Sequence, residues 1–158
     1  MMAADADHDY DTADALLRHS LSLYLSLGIT RFTGVVLVTQ AEMALARGDV
    51  AEAHTILRDA LGALVEVGER LAIPHALDTA ADLALMTGQP ARAARLLAAS
   101  ARLRITSGIH TWPSVGRRSG RCIARARAAL GGAFPTIWAE GQSMTPDAAI
   151  AEALDIDA

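Results

Sequence analysis

The sequence predicts an all-α fold, a solenoid of antiparallel helix pairs with a 40-residue period and about eight helices. Three observations predict it: regularly spaced glycines, helical periodicity between them, and a core composition suited to helices. Hydrophobic residues make up 52% of the 158 residues but aromatic residues only 4%. Ala, Leu, Val and Ile must therefore fill the core, and these residues suit closely packed helices.

Five glycines divide the first two thirds of the chain into stretches of 20 residues, each long enough for a helix and its turn. Glycine is favoured just past a helix end, because that position often takes the left-handed conformation, where a Cβ is penalised. We therefore predict that these glycines end helices. They are Gly28, Gly48, Gly68, Gly88 and Gly108.

Helix start signals fall in register with these glycines. Asp49 followed by Glu52 is typical of a capping box, Pro90 suits a first helical position, and Thr145 precedes the last helix as a cap. The β-favouring run at 35–39 lies inside the helical period, so we expect no sheet. The predicted helices span 11–27, 30–47, 49–67, 70–87, 90–107, 113–130, 133–142 and 146–155.

Apolar residues at helical spacing predict one buried stripe on each helix. The segments 9–48, 49–88 and 89–128 also align without a gap, which indicates a repeat. The predicted stripe of the first helix is Ala13, Leu16, Leu17, Leu21, Tyr24 and Leu25. That of the third helix is Ala53, Leu57, Ala60, Leu61 and Leu64.

The length of the chain, its single cysteine and its N-terminal sequence predict the domain organisation and the cellular compartment. We expect residues 1–10 to be an acidic flexible N-terminus and 11–158 to be a single helical-repeat domain with capping helices at its C-terminus. The single cysteine, Cys122, excludes an internal disulfide and is predicted to be buried. The acidic start is unlike a secretory signal, and no apolar run reaches membrane-spanning length. We expect a cytoplasmic protein.

The charges are unevenly distributed. All 14 basic residues are arginine, which excludes a P-loop lysine and a Schiff-base lysine. Residues 1–91 hold 5 Arg and 13 acids, 92–127 hold 9 Arg and no acid, and 128–158 hold 5 acids only. The net charge of −4 therefore hides three zones of different sign.

Two stretches of the chain share a pattern of glycine, alanine and leucine. The first is Gly48, Asp49, Ala53, Leu57, Ala60 and Leu61, repeated more loosely at Gly88, Pro90, Ala93, Leu97 and Ala101. This pattern resembles the tetratricopeptide repeat. The first-helix positions depart from the motif, because they hold Leu37, Gln40, Ala41 and Ala44 where large residues are usual.

A second resemblance lies in the last 70 or so residues, in the stretches 92–100 and 130–154, the second including Phe134, Trp138 and Met144. These stretches are similar to the C-terminal helical-repeat region of large bacterial signalling ATPases, including LuxR-type and antibiotic-regulator-type transcription factors. The resemblance implies protein or small-ligand sensing in signalling and transcriptional regulation, with the output supplied by another chain.

No catalytic set emerges from the sequence, and we predict no cofactor. His75, Asp78 and Asp82 stand at i, i+3 and i+7 and could be drawn as metal ligands or as an acid–base set. A solvated polar face gives the same pattern, and we favour that interpretation over a metal or catalytic site. The alternative is a small-ligand binder or enzyme with a pocket between helix layers.

The favoured function is a non-enzymatic interaction module that binds a partner protein in a concave groove. We predict that this groove is acidic at its centre and that it selects a partner segment carrying Lys or Arg. The groove residues are Val38, Glu42, His75, Asp78 and Asp82.

A secondary basic patch lies further along the chain. Its residues are Arg117, Arg118, Arg121 and Arg125. Nucleic-acid binding through this patch is the second alternative; the more ordinary interpretation is that these arginines pair with acids of the flanking zones or of a second subunit. Gly116 and Gly120, four residues apart, indicate close helix packing or a frayed first turn.

We also expect a homo-oligomer. In the repeat register the chain opens with the second helix of a pair, which predicts an apolar flank that a two-fold mate or another protein covers.

Overall fold

A computed structural model describes residues 4–110 and 113–155, with side chains described from residue 10 onward. Over these residues the chain is helical and contains no strand. The helices are α1 (Ala4–Ser26), α2 (Thr33–Ala46), α3 (Val50–Glu66), α4 (Ile73–Met86), α5 (Pro90–Ser107), α6 (Pro113–Leu130), α7 (Phe134–Ser143) and α8 (Pro146–Leu154). A short 3-10 helix (Gly131–Ala133) joins α6 to α7. The all-α prediction is therefore confirmed.

All five periodic glycines adopt the left-handed conformation, with φ between 64° and 81°. The turn after α2 is representative: the Gly48 N–H donates to the Leu45 carbonyl and the Asp49 N–H to the Ala44 carbonyl. This pair of hydrogen bonds defines the Schellman motif, and the same pair recurs at the other four glycines. The prediction that these glycines end helices is confirmed.

The predicted start signals are also confirmed. Asp49 accepts a hydrogen bond from the Glu52 N–H at 3.1 Å, and Thr145 accepts one from the Ala148 N–H at 3.1 Å. Pro90 is the first residue of α5. These side chains satisfy backbone donors that have no partner within the helix.

The chain divides into two compact units, Met1–Glu69 and Arg70–Ala158. In the first unit α2 packs between α1 and α3, and the predicted stripe of α3 is buried throughout. The contact between α2 and α3 is close, because a Cβ at Gly34 would lie only 2.6 Å from Leu64 Cδ2.

The stripe predicted for the first helix is wrong at two positions and only half-buried at the other four. Leu16 and Leu25 are more than half exposed, at 63% and 53%. Sequence spacing fixes which residues share a helix face, but how much of that face is covered depends on the neighbouring helices. α1 also begins at Ala4, inside the segment that we expected to be flexible.

In the second unit α5 is the central helix and contacts α4, α6, α7 and α8. Leu97 is 2% exposed, as predicted for a core residue. Phe134 and Trp138 stack at 5.4 Å between ring centroids and pack with Ala94 and Ala126, so Trp138 belongs to the core. The closing helices α7 and α8 both pack on α5.

The contact between α5 and α7 is also close. α7 approaches the N-terminal half of α5 closely, because Gly141 lies against the Arg95 carbonyl and a Cβ there would lie 2.7 Å from Ala98 Cβ.

No helix in the described part of the chain is long and apolar enough to span a membrane.

Candidate functional site

A cluster of polar side chains in the second unit is centred on Asp78 of α4, which is 7% exposed. Asp78 Oδ2 accepts a hydrogen bond from Arg104 Nη2 of α5 at 2.7 Å and from Ser119 Oγ of α6 at 2.5 Å. Its other oxygen, Oδ1, is buried and has no hydrogen-bond partner among the residues that the structure describes. One carboxylate therefore joins three helices.

Arg104 extends this network to the start of α4. Its Nη1 donates to Ser100 Oγ at 2.8 Å, and Ser100 Oγ donates in turn to the Pro74 carbonyl at 2.9 Å. Pro74 lies in the first turn of α4. Ser100 of α5 therefore binds a backbone carbonyl at the start of α4. The guanidinium of Arg104 bridges two polar groups that would be costly to bury without partners.

Asp82 lies one helical turn beyond Asp78 and binds two arginines of α6. Its Oδ2 accepts from Arg118 Nη2 at 3.1 Å and its Oδ1 from Arg125 Nη1 at 3.2 Å. Residues seven apart on a helix lie two turns apart on one face, so both arginines reach the same carboxylate. We call Asp78, Asp82, Arg104, Arg118, Ser119 and Arg125 the α4–α6 network.

Cys122 lies on the same face of α6, between the two arginines that bind Asp82, and is buried. Burial and, to a smaller extent, the nearby negative charge of Asp82 raise the pKa of its thiol to about 11. The thiolate is the nucleophilic form, so this cysteine is chemically inert at neutral pH.

The structure places the predicted groove residues as follows. Val38 has no exposed surface and contributes to the core of the first unit rather than to an accessible wall. Glu42 is half-buried on α2 and His75 half-buried on α4. Asp78 and Asp82 lie together, as their spacing predicted, but their charges are met by arginines of the same chain. The acidic groove itself stays a prediction.

The predicted basic patch separates into two sets. Arg118 and Arg125 belong to the α4–α6 network, whereas Arg117 and Arg121 are exposed and form no ion pair with any residue that the structure describes. Trp112, the aromatic residue nearest to this patch in sequence, lies outside the described residues.

Two further arginines hold the C-terminal helix. Arg95 Nη2 lies 2.6 Å from Glu152 Oε1 of α8, and Arg92 Nη2 lies 3.3 Å from Asp155 Oδ2 just after it. The interpretation that arginines of 92–127 pair with acids of the flanking zones thus describes Arg92, Arg95 and the network residues. Ser119 and Arg104 were not singled out as partners of Asp78, because no local pattern signals a contact across 26 or 41 residues.

The described residues contain no group of three or more His, Cys, Asp and Glu side chains placed to hold a metal ion. His75, Asp78 and Asp82 therefore do not form such a group. The chemistry that the site does offer is electrostatic: a buried ion pair between α4 and α5, partly buried ion pairs between α4 and α6, and exposed arginines on the far side of α6.

Comparisons with protein-family models, with curated proteins and with solved structures find no match to this chain. The functional argument therefore depends on the geometry of the chain itself.

Proposed function

We propose that the chain is a non-enzymatic interaction module that binds a partner protein through apolar side chains at one end of its first unit. The observation that supports this proposal is a group of six large apolar residues, each between 38% and 70% exposed. We call this group the apolar end. Its members are Leu25, Leu27, Ile29, Phe32, Val65 and Val67.

These residues lie where α1 ends, α2 begins and α3 ends, and two contacts link those segments. Arg31 Nε lies 3.9 Å from Glu69 Oε2, which links the turn before α2 to the turn after α3. The Tyr24 and Phe32 rings lie 5.4 Å apart, which links α1 to the same turn. The six side chains therefore occupy one region of the unit.

The physical reason to expect a partner is the cost of leaving apolar surface in water. Burial of such surface is favourable by about 25 cal/mol per Å², and contiguous exposed patches on soluble chains commonly mark interaction sites. Arg31 and Glu69 would supply polar contacts at the rim. A helical segment with apolar residues on one face and charges on its borders has the matching chemistry.

The broader interpretation is a tetratricopeptide-like solenoid with a scaffold or sensor role, as the sequence resemblance to bacterial signalling ATPases implies. The equal spacing of the glycine turns supports it, since α2 and α4 begin 40 residues apart, at Thr33 and Ile73. The internal neutralisation of Asp78 and Asp82 favours the apolar end over the acidic groove as the main contact surface.

Selection from a displayed peptide library tests this proposal. We expect the wild-type protein to enrich peptides with apolar residues at helical spacing, and the double variant Leu27→Asp, Phe32→Asp to lose them. Ile105→Asp is the matched control, because Ile105 is an apolar residue of the second unit that is 79% exposed. It should bind the peptides like the wild type.

Two results would overturn the proposal. One is the absence of any enriched peptide. The other is enrichment of peptides that bind the Leu27→Asp, Phe32→Asp variant as tightly as the wild type; if such peptides were rich in Lys and Arg, they would support the acidic groove instead. Circular dichroism of each variant confirms that the helices remain folded.

A further inference from the structure

The outer side of α6 carries a stripe of exposed arginines, two of which form no ion pair with the described residues. Arg117 and Arg121 are exposed and form no ion pair among the described residues, and the side chain of Arg125 is 53% exposed although it contacts Asp82. Residues four apart lie on one face of a helix, so these three side chains form a continuous stripe. We call it the arginine face.

This stripe is unusual in its charge environment. Like charges four residues apart on a helix repel each other, and no acid occurs anywhere in residues 92–127 to offset them locally. The whole chain is nevertheless acidic, with a net charge of −4. A concentrated positive surface on an acidic protein favours association with a negatively charged partner.

The residues beside the arginines are small. Positions 116, 120, 124 and 128 hold Gly, Gly, Ala and Ala, all exposed. A Cβ added at Gly120 would meet no atom within 4 Å, so the packing that the sequence suggested at this glycine is not made within the described chain. Small side chains allow a second helix to approach closely, because interaxial distance depends on the side chains at the contact.

We propose that the arginine face binds the acidic first turns of α1 from a second copy of this chain. Residues 4–14 contain five aspartates and no arginine, and they belong to α1, so the chain itself supplies a helical acidic segment. Asp11 is exposed and forms no ion pair with the residues that the structure describes. The match between this segment and the arginine face in charge and in helical form identifies the occupant.

This association joins two different surfaces, so it is heterologous and can continue from copy to copy. Its attraction comes from exposed charges, which salt screens strongly. The contact is therefore weak, reversible and dependent on ionic strength. It involves neither the apolar end nor the acidic groove, so its test is independent of the test of the proposed function.

Sedimentation velocity tests the proposal with the full chain. At about 200 µM and low salt we expect a weight-average mass above the monomer mass of 16.6 kDa, returning towards it at about 0.5 M salt. The double variant Arg117→Glu, Arg121→Glu should stay monomeric at low salt. Arg58→Glu, Arg70→Glu makes the same change in net charge at exposed arginines elsewhere and should associate like the wild type.

Charge exchange gives the decisive measurement. A second double variant, Asp9→Arg, Asp11→Arg, should also be monomeric alone, but a mixture with Arg117→Glu, Arg121→Glu should associate, because the unmodified surfaces of the two variants match each other and so do the reversed ones. Circular dichroism confirms that both variants are folded.

Three outcomes would overturn the proposal. The first is a monomeric wild type at low salt, since the acidic segment would then not bind in trans. The second is association that persists in Arg117→Glu, Arg121→Glu or that is absent from the mixture. The third is binding of a short single-stranded oligonucleotide that is lost in the same variant but leaves self-association of the wild type unchanged, which would assign the arginine face to nucleic acid and self-association to another surface.

Discussion

Removal of the Asp78 carboxylate should destabilise the second unit strongly. Asp78→Ala leaves the Arg104 guanidinium with Ser100 as its remaining hydrogen-bond partner, in a site where the side chains of Arg104 and Asp78 are only 14% and 9% exposed. Breaking a buried ion pair by removing one partner costs about 3–5 kcal/mol, because the other charge stays buried without compensation. Domain stabilities are about 5–15 kcal/mol, so the loss is a large fraction of the total.

The control is Asp155→Ala, which removes an aspartate that also contacts an arginine but whose side chain is 82% exposed. Exposed pairs contribute less than about 1 kcal/mol, and Arg92 keeps Glu152 as a neighbour. Any difference between the two variants therefore reports burial of the pair rather than loss of an aspartate.

Urea unfolding followed by tryptophan fluorescence measures both free energies. Trp138 packs against the core of the second unit, so its fluorescence reports the unit that contains Asp78. Arg104→Ala and the Asp78→Ala, Arg104→Ala double variant complete a double-mutant cycle, in which the double variant should lose less stability than the sum of the singles. Asp78→Asn, which keeps the shape, serves if Asp78→Ala does not fold. A cost below about 1 kcal/mol for Asp78→Ala, equal to that of Asp155→Ala, would refute this account of the network.

Further predictions concern glycines and the thiol. Gly141→Ala should destabilise the protein by about 1–3 kcal/mol, because the new Cβ would meet the α5 backbone. Gly120→Ala should stabilise it by about 0.5–1 kcal/mol, because the new Cβ lies in open space. Thermal melts in which both variants changed stability in the same direction would contradict this packing. Gly48→Ala should cost about 1–2 kcal/mol, measured by urea unfolding, because φ is +81° at that residue; an unchanged midpoint would argue against the left-handed turn. Cys122 should react slowly with a thiol reagent at pH 8 until urea unfolds the chain, and fast labelling of the folded protein would show that the thiol is accessible. Burial raises the Cys122 pKa from an ordinary value near 9 to about 11, so the folded state holds this proton more tightly than the unfolded state. The contribution of this proton to the free energy of unfolding is therefore complete below pH 9 and is lost as pH rises to 11. Unfolding free energies measured across that range check the sign.

The sequence alone determined where most helices begin and end. The left-handed glycine, the capping aspartate and the N-terminal proline act through their own residue and its nearest neighbours, so their effects are readable without a tertiary structure. The helix bounds of α5 and α6 agree with the prediction at both ends for this reason. The buried stripe of α3 was also predictable, because helical spacing places its members on one face.

Only the tertiary structure decided which charges meet and which surfaces stay open. Asp78 and Asp82 share a helix face by spacing, but their partners are 26 to 43 residues away, and packing of α5 and α6 on α4 sets those distances. Packing likewise placed Gly141 rather than Gly120 against another helix. Such contacts depend on how helices rotate about their axes and cross, and a single sequence carries no local signal for either.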